Sequence, residues 1–167
     1  MAKQTLRELL RGKGAHTDSV ACLEDLPASL TAKQLDGYPH SIWQIVGHLN
    51  YWMEYELKRI DGKPPAYPEH AIESWPEADG PASEEEWQDV VAEFRALLEK
   101  FMTLSDSSSE VLNRSVAAQN LSQESVSSTV ETVLWQTAVH NSYHLGQVAL
   151  LRRVFGAWPP RRGSDTW

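Results

Sequence analysis

The chain has 167 residues, a formal net charge of −8 and a single cysteine, Cys22. That length suits one domain, 1–167, around one buried core. The fifteen Lys and Arg residues are scattered and form no basic stripe along phosphates, so nucleic acid is not expected as a partner.

One cysteine builds neither a disulfide framework nor a cysteine-rich zinc site. The N-terminus alternates charge with leucine, and nowhere does the chain run apolar for the ~18 residues a membrane helix needs. A soluble, cytoplasmic protein with no membrane partner is expected.

In chain order, Leu6, Leu9 and Leu10 predict a short N-terminal helix that Gly12 and Gly14 interrupt. Thr17 or Asp18 is placed to cap a second helix carrying Val20, Leu23 and Leu26, which Pro27 stops. Ser41-Ile42-Trp43-Gln44 matches a capping box, so a long helix begins at about Ile42. Its residues Ile45, Leu49, Trp52, Met53 and Leu57 keep one face toward a core, with His48 on or beside that face, until Asp61-Gly62-Lys63-Pro64-Pro65 breaks it.

From Pro64 to Pro81 there is no period, which predicts a long surface connection whose Tyr67 and Trp75 fold back and can rim a pocket. Ser83-Glu84-Glu85-Glu86 is a second capping box, and Trp87, Val90, Val91, Phe94, Leu97, Leu98 and Phe101 follow at intervals of three and four. The serine-rich stretch Ser105 to Ser127 allows a turn of helix around Glu110 to Leu112 and an extended piece near Ser115 to Ala118. Ser128-Thr129-Val130-Glu131 reads as a third capping box, opening a helix through Val133, Leu134, Thr137, Val139, Leu145, Val148 and Leu151 that ends before Gly156 and Pro159-Pro160. The fold class expected is all-α: a four-helix bundle with a short additional N-terminal helix and a long crossover region.

The stretch HNSYHLGQ, His140 to Gln147, lies inside that last helix. Residues four apart on a helix differ by about 40° in direction and ~6 Å in height, so His140 and His144 present their rings on one face and can chelate one cation. Val133, Thr137 and Val148 turn this flank toward the core. A plain explanation competes: each ring bonded to a carbonyl or a tyrosine in the interior. His48, with Trp52 one turn away, shifts the balance, because three neutral nitrogens can converge from facing helices, and three protein ligands with open positions mark a reactive site. An H-E-x-x-H peptidase needs glutamate where Asn141 stands. The Glu-x-x-His pairs of di-iron bundles need it at Thr137 and Asn141, so one ion is expected, not two.

Three segments carry a likeness to a known family: PHSIWQIVGHLNYW, Pro39 to Trp52; AVHNSYHLGQVALLRR, Ala138 to Arg153; and GAWPP, Gly156 to Pro160. The chain resembles the DinB/YfiT-like candidate metalloenzymes of the DinB superfamily over about residues 30–160. The resemblance implies a four-helix bundle, often a homodimer, with one divalent metal ion held by His48, His140 and His144. It also implies a thiol-dependent transferase or isomerase whose small-molecule partner is a low-molecular-weight thiol. Neutral imidazoles suit Zn, Ni, Cu and Fe alike, and Zn or Ni is expected first.

Other residues are weighed beside these. Tyr143 and Gln147 can hydrogen-bond a ligand imidazole or a bound water, or serve only helix packing. Trp52, one turn from His48, is the one aromatic given a place at the site; Trp43, Trp135 and Tyr55 fit a core at least as well. Gly146 implies a packing reason, such as the close approach of a neighbouring helix, and is assigned no chemistry. His40 and His70 are expected in local or solvated roles, while Gly14-Ala15-His16 can bring His16 to the bundle mouth. Cys22 reads as a small buried hydrophobe. Three functional readings stay open: a metal-dependent thiol transferase or isomerase, a metal-dependent small-molecule hydrolase, and a non-catalytic metal-binding or interaction bundle.

Overall fold

The computed structural model describes residues 2–117 and 128–162. Its elements are α1 (Ala2–Leu10), α2 (Ala21–Glu24), α3 (Ala28–Thr31), α4 (Ile42–Ile60), a 3-10 turn (Ala71–Ser74), α5 (Glu84–Ser105), α6 (Ser109–Leu112), β1 (Ser115–Val116), β2 (Ser128–Thr129) and α7 (Val130–Val154). Helix α1 packs on α5 and α7, and α4 packs on the same two helices. The cross-section therefore runs α1–α5–α4–α7, an all-α bundle. Among the described residues no helix is long and apolar enough to cross a membrane.

Local chemistry sets the helix ends. Ser41 caps α4: its hydroxyl accepts from Gln44 N–H at 3.1 Å, while the Gln44 amide oxygen accepts from Ser41 N–H at 3.1 Å. At the other end Gly62 adopts φ +76°, which lets Lys63 N–H donate back to the Lys58 carbonyl at 2.9 Å. Ser83 Oγ accepts from Glu86 N–H at 3.1 Å, but the Glu86 carboxylate turns to Ala82 N–H, so this box is displaced by one residue. Thr129, not Ser128, caps α7 through Thr132 N–H at 3.2 Å, and both residues pair in the β1–β2 ladder, Thr129 with Ser115 and Ser128 with Val116.

The fourth side of the bundle falls in a different place from the one expected. The stretch from Thr17 to Leu26 forms only the single turn α2: Asp18 Oδ1 accepts from both Val20 and Ala21 N–H at 3.0 Å, and Pro27 takes extended backbone soon after. Helix α1 fills that side instead, with Leu6 and Leu10 buried. The predicted turn near Glu110 is α6, capped by Ser108, and the extended piece is β1; Ala118 lies outside the described residues. Cys22 is buried as expected, and burial pushes its thiol up to about 11.

Trp87, Phe94 and Phe101 from α5, Ile42, Ile45 and Leu49 from α4, and Val133, Leu134, Val148 and Leu151 from α7 make the centre of the core. Each such side chain contributes ~1.5–3 kcal/mol by leaving water. Trp43 sits in this core with its ring 6.5 Å from Trp87, and Trp135 packs against its edge. If α1 is a wall of the bundle, Leu6→Ala and Leu10→Ala should each cost about 2–5 kcal/mol in urea unfolding. A helix merely appended to a finished bundle would leave the midpoint unmoved.

Candidate metal centre

His48 of α4 and His140 and His144 of α7 meet where these helices face each other. One ring nitrogen from each lies within 4.8 Å of the others. Ring centroids are 5.3 Å apart for His48 and His140, 4.9 Å for His48 and His144, and 4.6 Å for His140 and His144. The group contains no carboxylate and no cysteine.

Hydrogen bonds orient two of the rings. His48 Nδ1 lies 3.2 Å from the Ser74 carbonyl and 3.0 Å from Ser74 Oγ. A carbonyl only accepts, so Nδ1 carries the proton and Nε2 keeps its lone pair. His144 Nδ1 lies 2.8 Å from Gln147 Oε1, which sets the same tautomer one turn away. Burial, reinforced by the two neighbouring rings, pushes His48 down to about 3. Burial and His144 push His140 down to about 4, and burial lowers His144 against the raising effect of Gln147.

Three neutral imidazoles, two with Nδ1 already committed, are the donor set that a borderline divalent ion takes up. The residues therefore fit one metal ion. Asn141 stands where an H-E-x-x-H peptidase has its glutamate. Asn141 points into the core instead, with its Nδ2 3.4 Å from Met53 Sδ.

A cleft of about 230 Å³ opens beside His140, lined by Trp52, Met53, Glu56, Tyr67, Gln136 and Thr137. Trp52 stands edge-on to His48 at 6.4 Å between centroids and meets Tyr67 at 5.8 Å. Of the residues weighed from the sequence, Trp52 and Gln147 thus lie against the cluster. Tyr143 is 66% exposed and approaches His144 only with its ring edge, at 5.0 Å. His16 is elsewhere: its ring bonds the Thr17 carbonyl at 2.7 Å and Ser142 Oγ at 2.9 Å. Gly146 meets no neighbour within 4 Å of an added Cβ, so no helix approaches it; the close approach is at Gly47, where a Cβ would stand 2.3 Å from Pro76 Cγ.

Sequence reasoning missed Ser74, and it placed His40 in a local role. The 3-10 turn brings Ser74 and Trp75 onto α4, and the Trp75 ring lies flat between His40 and His48, at 3.6 and 3.8 Å. The only advance signal was an aromatic residue in a proline-rich connection.

A helical bundle with three convergent histidines is the class that this fold and cluster define. The model of the DinB superfamily matches residues 13–148, all three histidines included, and the chain belongs to that superfamily. No curated protein and no solved structure matches the chain.

The depressed basicity has a stability consequence with a definite sign. Unfolded histidines titrate near ~6.5, above the folded values of about 3 and about 4 for His48 and His140. Below ~6.5 the unfolded chain therefore binds more protons, and the folded state loses stability as pH falls through that window. Ion-free protein should lose stability between pH 7 and 4 more steeply than a His48→Gln, His140→Gln, His144→Gln variant, as read by urea midpoints across pH.

Proposed function

We propose that the chain is a divalent-metal-dependent enzyme that holds one ion with His48, His140 and His144 and acts on a low-molecular-weight thiol, as a transferase or isomerase. The observation that carries this reading is the cleft that His140 shares with Trp52 and Tyr67. A histidine cluster that opens onto a cleft suits a reacting site, whereas a structural site is closed on all sides.

A bound ion with open positions supplies Lewis acidity and favours the thiolate form of an incoming thiol near neutral pH. The chain's own residues do the rest. Ser74 and Gln147 keep the His48 and His144 lone pairs directed inward. Trp52 and Tyr67 offer an apolar wall to the substrate and keep water from that side, while Gln136 and Thr137 offer hydrogen bonds.

The thiol reading is favoured over hydrolysis by the state of the cleft's carboxylate. Glu56 Oε2 takes two donors from the buried Arg59, Nε at 2.8 Å and Nη2 at 2.7 Å. A hydrolase that relied on this carboxylate to take a proton from water would find it committed to Arg59.

Zn and Ni head the ions to try, since three imidazoles suit both. A homodimer belongs to the same reading. Val139, Tyr143, Leu150 and Val154 are exposed on α7 and fall within about 60° of one another around its axis. A net charge of −8 disfavours nucleic acid, and the single buried cysteine suits a reducing, cytoplasmic setting.

Protein purified without chelator should carry about one transition-metal ion per chain, and a folded His140→Ala, His144→Ala variant should carry little. Parent protein that takes up no Zn, Ni or Mn after incubation and dialysis ends the metalloenzyme reading. Metal-loaded protein should then accelerate transfer with small thiols, and the double variant should not. In sedimentation, Leu150→Glu should shift the protein from dimer to monomer; an unchanged profile removes the α7 stripe as the interface.

A further inference from the structure

The connection between α4 and α5 is built as a strap over one of the three histidines. Contacts along its length place it. Gln44 Nε2, on the capping-box side chain, donates to the Pro76 carbonyl at 3.2 Å and to Asp79 Oδ1 at 3.3 Å. Pro76 lies so close to α4 that a Cβ on Gly47 would meet its Cγ at 2.3 Å and its Cδ at 3.1 Å. Gly80 approaches α3 in the same way, where an added Cβ would meet Ala32 Cβ at 2.3 Å. Trp75 is clamped between the His40 and His48 rings, nearly parallel to both, with interplanar angles of 7° and 12°.

We infer that Ser74 and Trp75 are positioning residues for His48, so that the strap, rather than α4 alone, sets the direction of its Nε2 and the affinity of the three-histidine centre. This rests on the metal-site reading above for its second half only. His140 and His144 are spaced by one helix and need no outside help to stay in register. His48 comes from the facing helix, and its ring could rotate about χ2 if nothing held it. Two acceptors on Ser74 select the Nδ1–H tautomer, and the Trp75 face fixes the ring plane. Partners of this kind typically change metal affinity 10–100-fold when removed.

His40 has its own part. It directly precedes Ser41 and presses Trp75 against His48 from the outer side. The cap that starts α4 and the clamp that holds the strap are therefore one structural unit.

Two readouts separate the parts of this proposal. In ion-free parent protein, long-range ¹H–¹⁵N spectra should show His48 protonated at Nδ1 and bare at Nε2. Gly47→Ala, which alters no histidine side chain, should displace Pro76 and mix the His48 tautomers. The same variant should weaken Zn²⁺ binding in chelator competition by at least about tenfold. Trp75→Ala should behave alike and Trp75→Phe, which keeps a flat face, should recover most of the affinity; this pair decides the matter if Gly47→Ala loses its helical circular dichroism. A parent His48 that is protonated at Nε2, or variants that keep both tautomer and affinity, would overturn the inference. A parent that binds no Zn²⁺ overturns the metal reading instead, while the tautomer comparison still decides what the strap does.

Discussion

The structure around the cluster depends on three imidazoles staying neutral while packed together. Centroid separations of 4.6 to 5.3 Å leave no room for two cations in a half-dry interior. Burial and the neighbouring rings both push against protonation, so at neutral pH each ring is uncharged and retains one lone pair. Nδ1–H bonds to Ser74 and Gln147 then decide which nitrogen that is for His48 and His144. The same burial that would make charged histidines intolerable here is what makes neutral ones good donors.

That arrangement requires α4 and α7 to meet in one register, and buried arginines help fix the segments around them. Arg59 near the end of α4 pairs with Glu56 and donates to the Ala117 carbonyl at 2.6 Å, tying the residues after β1 to this helix. Arg152 near the end of α7 donates to the Cys22 carbonyl at 2.7 Å and the Ala157 carbonyl at 3.0 Å, and pairs with Asp25 at 2.7 Å. Both side chains are 1% exposed. A guanidinium so deeply buried is costly unless its donors are met, and meeting them here ties the residues after β1, the short α2 and the segment after α7 to helix ends.

How much of this was legible follows from the range of the interactions. Local chemistry was readable: the Ser41 cap, the Gly62 stop and the apolar period of α5 are decided within a few residues. So was the pairing of His140 with His144, and His48 stood out because it shares a helical flank with Trp52. What was not readable depends on distant neighbours. Nothing within ten residues of Ser128 says that it pairs with Val116, or that the cap falls one residue further on, at Thr129. Gly146 looked like the position of close approach, yet the crowding is at Gly47, where a segment twenty-nine residues away comes down on the helix. The burial of Arg152 was hidden in the same way, since beside Arg153 it looks like an ordinary surface pair.

The strap shows why the missed features cluster at the candidate centre. A helix positions two histidines four apart by its own geometry, and any sequence that forms the helix forms the pair. The third histidine has no such guarantee, because small errors in packing two helices appear in full at its ring. A fold can reduce that error by a tighter core on both helices or by an outside contact made directly to the ring. Leu49, Met53, Leu145 and Val148, all buried beside the histidines on α4 and α7, supply the first. Ser74 and Trp75 supply the second, from a segment whose proline-rich sequence has no period of its own and takes its place only through α4. Reading such a centre therefore means asking of each ligand which contacts lie outside its own helix, and for His48 they arrive through the connection that sequence pattern describes least.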